Sequence, residues 1–522
     1  MKKILSISML ACAVSAFAQD AYMNEQTLNS SEDVIGTSRY VGMGGAMGAL
    51  GADISVIGWN PAGIGLFRKG DASLTFGGLW NKNGINERSR GTGSFDQIGV
   101  VFNIKTESDV CPYVNLAINY QKKKNFYSNF YADNLQLGGI SQIDQLTELA
   151  NLYSSMNFDM NNLYNLTGHL AYNGVIPYSD TEGKYYNQNR NDYNNYTHHS
   201  SGSLHGWDFN VSTNVQDRAY FGFTFGVDNL NYTAYTEYLE GYYNSNNRPV
   251  DDYRINNDYD ISGYGFNFKV GGIVRPFENN PFRVGFAIES PTWYKLKSRV
   301  WLNCTNIIDN VSSKPEDVGV DYNPTTPWKF RASMGSTVGN KFAWDVDYEY
   351  ANYKGMTQRY PDYYDSFGGT KDVAMNDFTN MTLRGVHTLR AGMEIRPIAP
   401  LTFRLGYNYI TAAYDQNAQF DQYELLLSES PSVLGMTSTN YMIKKPTHIL
   451  ALGMGYRWRR CYVDLAYKIR HQKADFYAFD DSFTGPDTDF SNDNPTLAGV
   501  RLAAVSLDLT RHYITCTLGF KF

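Results

Sequence analysis

From about residue 71 onward, apolar and polar side chains alternate over runs of roughly ten positions, each closed by a turn. Phe221, Phe223, Phe225 and Val227 are interleaved with Gly222, Thr224 and Gly226. The same period recurs in Trp207/Phe209/Val211, Phe282/Val284/Phe286/Ile288 and Phe342/Trp344/Val346/Tyr348. It continues in Leu389/Ala391/Met393/Ile395, Leu401/Phe403/Leu405/Tyr407 and Leu450/Leu452/Met454/Tyr456, and ends in Ile514/Cys516/Leu518/Phe520/Phe522. A period of two puts one set on one face of a strand and the Gly, Thr, Asn, Asp, Arg and Ser between them on the other. Short connections fall near 105–112, 216–219, 275–281, 339–341, 397–400 and 459–460, several with the Pro, Asn, Asp or Gly of tight turns. Long polar connections fall near 81–94, 123–206, 229–262, 297–326, 354–386, 411–446 and 471–497. Short turns at one end and long loops at the other predict an all-β membrane fold, an antiparallel transmembrane β-barrel of about 14 strands with both ends of the barrel on the periplasmic side. That count takes residues 501–522 as one final strand. A propeller would repeat every 40–50 residues or so, and no such repeat is present.

Residues 19–70 do not follow this pattern. Asn24 to Tyr40 is polar, and a Gly-rich, weakly charged stretch follows from Val41 through Gly65. Glycines Gly42, Gly44 and Gly45 do not form a dinucleotide loop: G-x-G-x-x-G fails at Met47, and no strand and helix flank it. Such a segment ahead of the first strand suits a plug, or hatch, inside the barrel, where missing side chains allow close approach to the wall. Residues 1–18 read as a secretory signal peptide, with Lys2 and Lys3, an apolar stretch from Ile4 to Val14, and Ala16-Phe17-Ala18 before the cut.

Composition narrows the class further. An aromatic share of 15% excludes a disordered chain, and 5 Cys in 522 residues exclude a disulfide scaffold. The net charge of -7 argues against a nucleic-acid partner. After the leader, no apolar run reaches the roughly 20 residues of a membrane helix, so a membrane location must be encoded in strands. The spacings of Cys111, Cys304, Cys461 and Cys516 fit no metal or redox motif. Phe522 closes the last strand like the sorting signal of outer-membrane proteins, which implies a bacterial outer-membrane location, contact with outer-membrane lipid and recognition by the barrel assembly machinery. A monomer is expected.

The run Gly36-Thr37-Ser38-Arg39-Tyr40-Val41-Gly42-Met43-Gly44-Gly45-Ala46, and the later Asn60-Pro61-Ala62-Gly63, resemble the start of the FadL/TodX family of outer-membrane transporters of hydrophobic compounds. The Arg275-Pro276 turn, followed by a strand ending Glu289-Ser290-Pro291, is similar to that family's mid-barrel hairpin. The resemblance implies a fourteen-stranded barrel with an N-terminal hatch and passive uptake of fatty acids or aromatic hydrocarbons. It maps the hatch element onto Asn60, Pro61, Ala62 and Gly63. It also implies a gap in the barrel wall, although no single break stands out in the third strand. Relatives have been labelled haemin receptors, which gives a haem-binding alternative; a surface adhesin with a closed pore is another.

The 123–206 connection is too long for a simple loop. Ile143, Leu146, Leu149, Ala150 and Tyr153 follow helical spacing, and Leu163, Leu166 and Leu170 continue it. With Met156, Phe158 and Met160 between them, these helices either form an apolar ligand groove or simply cap the barrel. His198 and His199, with His205 nearby, are the residues a haem would use. No Gly-x-Ser-x-Gly elbow is present, and no enzymatic activity or resident cofactor is expected.

Overall fold

The computed structural model describes residues 32–83, 91–132, 135, 141–155, 166–187, 192–313, 316–361, 368–416, 440–479 and 504–522. The leader at 1–18 lies outside them. The chain closes into a 14-stranded antiparallel barrel. The strands are β1 (Asp71–Asn83), β2 (Gly91–Lys105), β3 (Tyr113–Asn125), β4 (Tyr193–Val215), β5 (Ala219–Tyr243) and β6 (Pro249–Val274). Next come β7, in two pieces (Arg283–Glu289 and Trp293–Asn306), and β8, also in two (Glu316–Tyr322 and Lys329–Val338). β9 (Phe342–Asn352), β10 (Gly385–Ile398), β11 (Leu401–Ile410), β12 (Tyr441–Trp458), β13 (Cys461–Tyr477) and β14 (Val505–Lys521) complete the wall. Each strand pairs with its sequence neighbour, and β14 returns to β1 from Asp71↔Lys521 to Asn83↔Leu509.

The alternating apolar residues face outward, where Val211, Phe286 and Leu452 are each more than half exposed. A belt of such side chains all round a closed wall has no place in water and fits lipid. Cys516 lies on this outward face, two residues from Leu518 and Ile514. The six short connections lie between the strands where the turn residues put them.

Several long connections are shorter than the polarity of the sequence suggests. The segment 229–262 is not a loop: β5 and β6 stay paired from Ala219↔Val274 to Tyr243↔Pro249. Beyond the lipid neither face needs to be apolar, so the period of two fades while the backbone ladder runs on. For the same reason β4 starts at Tyr193, the second piece of β7 reaches Asn306, and β13 reaches Tyr477.

β7 and β8 are interrupted at matching heights, by Ser290-Pro291-Thr292 and by Asn323 to Trp328, which holds Pro324 and Pro327. Proline gives the ladder no N–H, so regular pairing stops. Other bonds span the break: Thr292 N donates to Thr326 Oγ1 (2.8 Å), Tyr294 N to Pro324 O (3.0 Å) and Phe268 N to Ser290 Oγ (2.9 Å). Among the described residues the ladder is interrupted in the seventh and eighth strands, and it shifts register at smaller bulges elsewhere, one of them at Lys122/Lys124 in the third strand.

Candidate functional site

The N-terminal segment is packed against the inward face of the wall and is almost wholly buried. It begins with helix α1 (Ser38–Gly42), capped by Thr37, whose Oγ1 accepts from Tyr40 N and donates to Asp53. Two 3₁₀ turns follow, Ile54–Gly58 and Pro61–Leu66. Asn60 caps the second: its Oδ1 accepts from Ala62 N (3.2 Å), while its Nδ2 donates to Gly48 O (2.8 Å) and ties the two halves of the segment together. Pro61 stands at the first position of the turn, where its missing N–H costs nothing.

The expected use of glycine is visible at two contacts. A Cβ on Gly42 would lie 2.9 Å from the Gly453 backbone on β12. Gly44 combines φ +65° with a seat against Gly406 on β11, where a Cβ on Gly406 would meet Gly44 N at 2.2 Å. Gly45 also has positive φ. A side chain on either partner would push the segment off the wall.

Charged wall residues hold the segment in place. On β9, Asp347 accepts from Met47 N (3.1 Å) and Gly48 N (3.2 Å), and Asp345 accepts from Ala49 N (3.0 Å) and Leu50 N (2.7 Å). The Trp59 ring lies between two guanidinium groups, Arg390 at 3.6 Å and Arg331 at 4.5 Å from its centre. Arg331 is itself held by Glu289 and Glu349, both at 2.6 Å, and donates to the carbonyls of Gly58 and Trp59. At the short-turn end, Arg39, Glu394, Arg404 and Asp464 form a chain of ion pairs beside a cavity also lined by Asp53, Arg457 and Lys521.

Above the segment, cations gather around one acid. Arg470 and Arg511 both reach Asp33, at 3.1 and 3.4 Å, and Lys468 Nζ donates to Val34 O (2.6 Å). Lys124 and Lys444 share the electrostatic surroundings of Arg470 and Arg511. On β13 the inward face then changes character: Lys468, Arg470 and Gln472 give way to Ala474 and Phe476, the last two buried in a large apolar cluster.

That apolar cluster is built by helix α2 (Gln142–Ser155) and helix α3 (Leu166–Tyr172) against the upper wall. Leu146, Leu149, Tyr153 and Leu166 all lie in it, with Phe130, Tyr196, Ile443 and Phe476. Met156, Phe158, Met160 and Leu163 fall outside the described residues. Glu240 of β5 accepts from Ser141 Oγ (2.7 Å), Gln142 N (3.2 Å) and Tyr238 O–H (2.8 Å) and so anchors the start of α2. Burial raises the Glu240 carboxyl to about 7 against the opposing hydrogen bonds of Ser141 and Tyr238. A further helix, α4 (Val373–Thr382), adds Met375 and Phe378 to the cluster.

His198 and His199 are consecutive on β4, so they point to opposite faces and do not converge on one metal. Phe522 is exposed beside Phe520 and Phe102 at the short-turn end. The interleaved Asp and Arg positions face the lumen as the period of two requires, and pairs spaced by two, such as Asp345/Asp347 and Lys468/Arg470, mark the interior as ionic, but which groups they meet is not written in the strand pattern.

A closed barrel with an apolar belt, short turns at one end and an ionic interior is a transmembrane barrel of the bacterial outer-membrane type. The solved structures specify it further. A Pseudomonas aeruginosa FadL homologue matches with TM-score 0.54 at 12% identity, over 94% of this chain and 100% of its own. The P. putida toluene transporter TodX matches with TM-score 0.49 at 10% identity (94% and 99% covered), and the CymD monoaromatic hydrocarbon channel with 0.48 at 10% (95% and 98%). The chain therefore has the FadL fold. No family model matches the sequence, and neither does any curated protein.

Proposed function

We propose that this barrel takes up hydrophobic small molecules with an acidic head, long-chain fatty acids being the type, across the outer membrane without an energy source. The observation that carries this reading is the sequence of surfaces along the lumen: an apolar cluster under α2 and α3, then the basic groups Lys468, Arg470 and Arg511, then the N-terminal segment. Each methylene withdrawn from water contributes roughly 0.8 kcal/mol, so capture needs no coupling. The cations offset the cost of bringing a carboxylate out of water. Movement of the segment, with Asn60-Pro61-Ala62-Gly63 at its centre, then opens the way to the periplasm. The likeness in fold to a FadL homologue supports the same reading.

The test is uptake of labelled oleate, toluene and haem by cells with and without the gene. Oleate uptake that depends on the gene, and that falls in the double variant Arg470→Ala/Arg511→Ala, is expected. Equal oleate uptake with and without the gene would sink the proposal, and gene-dependent haem uptake alone would replace it with the haem-receptor alternative.

A further inference from the structure

The chain has eight histidines, and four of them occupy one equivalent position in the wall. His205 on β4, His387 on β10, His448 on β12 and His512 on β14 each lie two residues beyond the last apolar outward residue of a descending strand, Trp207, Leu389, Leu450 and Ile514. Each of those apolar residues faces a tyrosine of the preceding ascending strand: Tyr120, Tyr348, Tyr407 and Tyr467. In three pairs the tyrosine hydroxyl meets histidine Nδ1, Tyr348–His387 at 2.7 Å, Tyr407–His448 at 2.9 Å and Tyr467–His512 at 2.7 Å. In the fourth the rings of Tyr120 and His205 are 5.5 Å apart. All face outward, at the long-loop end of the lipid belt.

An ordinary interfacial girdle needs only the amphipathic rings of Tyr and Trp. The repeated histidine adds a nitrogen donor. With the phenol donating to Nδ1, the imidazole proton rests on Nε2 and leaves an N–H for the headgroup layer. One of these rings has a second aromatic partner: Trp80 stacks on His512 with centres 5.3 Å apart. Lysines stand just past two of these pairs: Lys82, two residues after the Trp80 that faces His512, and Lys122, two after Tyr120, whose Nζ also donates to Ser94 Oγ at 2.7 Å. Lys122 lies directly across from His205. N–H donors repeated at one height, two of them with a lysine alongside, are complementary to an anion held at the height of the headgroups.

We infer that this Tyr–His row is a binding surface for the phosphate groups of phosphorylated glycolipids in the outer leaflet. Imidazole Nε2–H donates to phosphate oxygens, joined by the lysines beside His205 and His512, while the acyl chains lie on the apolar belt below. Separate strands contribute separate pairs, so several lipids bind around the wall.

The test uses the full-length protein in lipid nanodiscs that contain either diphosphoryl lipid A or the same lipid with its phosphates removed, in a phosphatidylethanolamine background, with bound lipid counted by native mass spectrometry. The wild-type protein should retain the diphosphoryl form at least about tenfold better, the scale set by losing a hydrogen bond to a charged acceptor. His387→Phe/His448→Phe/His512→Phe, which keeps the rings but removes the donors, should lose most of that preference. Equal retention of the two lipids by the wild-type protein overturns the inference, and this arm needs no variant to fold. So does a folded triple variant, shown by an unchanged melting temperature, that keeps the full preference.

Discussion

Replacing Asp347 by alanine should unlatch the N-terminal segment without opening the barrel. The Asp347 carboxylate is the acceptor for two buried amides, Met47 N and Gly48 N, at 3.1 and 3.2 Å. Alanine leaves both without it, at a cost of about 1–3 kcal/mol for each buried donor. Taking about 3 kcal/mol for the pair, the unlatched population rises on the order of a hundredfold, since about 1.4 kcal/mol is a factor of ten. The contrast lies at Asp345, where one oxygen, Oδ2, accepts from both Ala49 N and Leu50 N, at 3.0 and 2.7 Å. Asn keeps that oxygen, so Asp345→Asn should stay near wild type. Single-channel recording in planar bilayers reads the open fraction directly. The wall ladders are untouched, so the melting temperature should hardly move. Conductance of Asp347→Ala within twofold of wild type, or equal leakage from Asp345→Asn, would refute the latch.

Three further outcomes follow from other contacts. The Glu240 carboxyl sits at about 7 when α2 is docked, above the 4.5 of the free group. The docked state therefore holds more protons between those values: docking is strongest below about 4.5 and loses up to about 3 kcal/mol as pH rises through 7. Hydrogen exchange of residues 142–155 at pH 5 and pH 8 should show it, and Glu240→Gln should shrink the difference to the share left by Glu148 on α2, which burial also raises to about 7. Gly406→Val puts branched carbons where Gly44 N already lies 2.2 Å from a Cβ, so it should raise open-channel conductance while β11 and β12 remain paired; unchanged conductance would refute the close approach. Leu146→Asp buries a charge in the apolar cluster under the cap and should cost several kcal/mol of local stability, seen as faster proteolysis of the 126–192 region.

The barrel itself was legible in the sequence because lipid imposes a strict period of two. Each strand must show hydrocarbon to the bilayer at every second residue, and Phe221, Phe223, Phe225 and Val227 state this without help from the rest of the chain. The two helical stripes were legible for the same reason, since Leu146, Leu149 and Tyr153 obey a local period. So was the Gly-rich character of residues 42–45, although not which wall strands they meet. What the sequence could not decide is where periodicity carries no information. β5 and β6 run on past the membrane with mixed faces, because a backbone ladder in water needs no apolar side, and polarity alone reads them as loop. Nor does any local pattern show that Asp347 meets Met47, that Arg331 and Arg390 enclose Trp59, or that Arg470 and Arg511 converge on Asp33. Those groups are hundreds of residues apart, and only barrel closure, which fixes strand order and register at once, brings them face to face. The sequence determined the wall because the solvent outside it is uniform; the lumen had to wait for tertiary structure because its partners are other, distant parts of the chain.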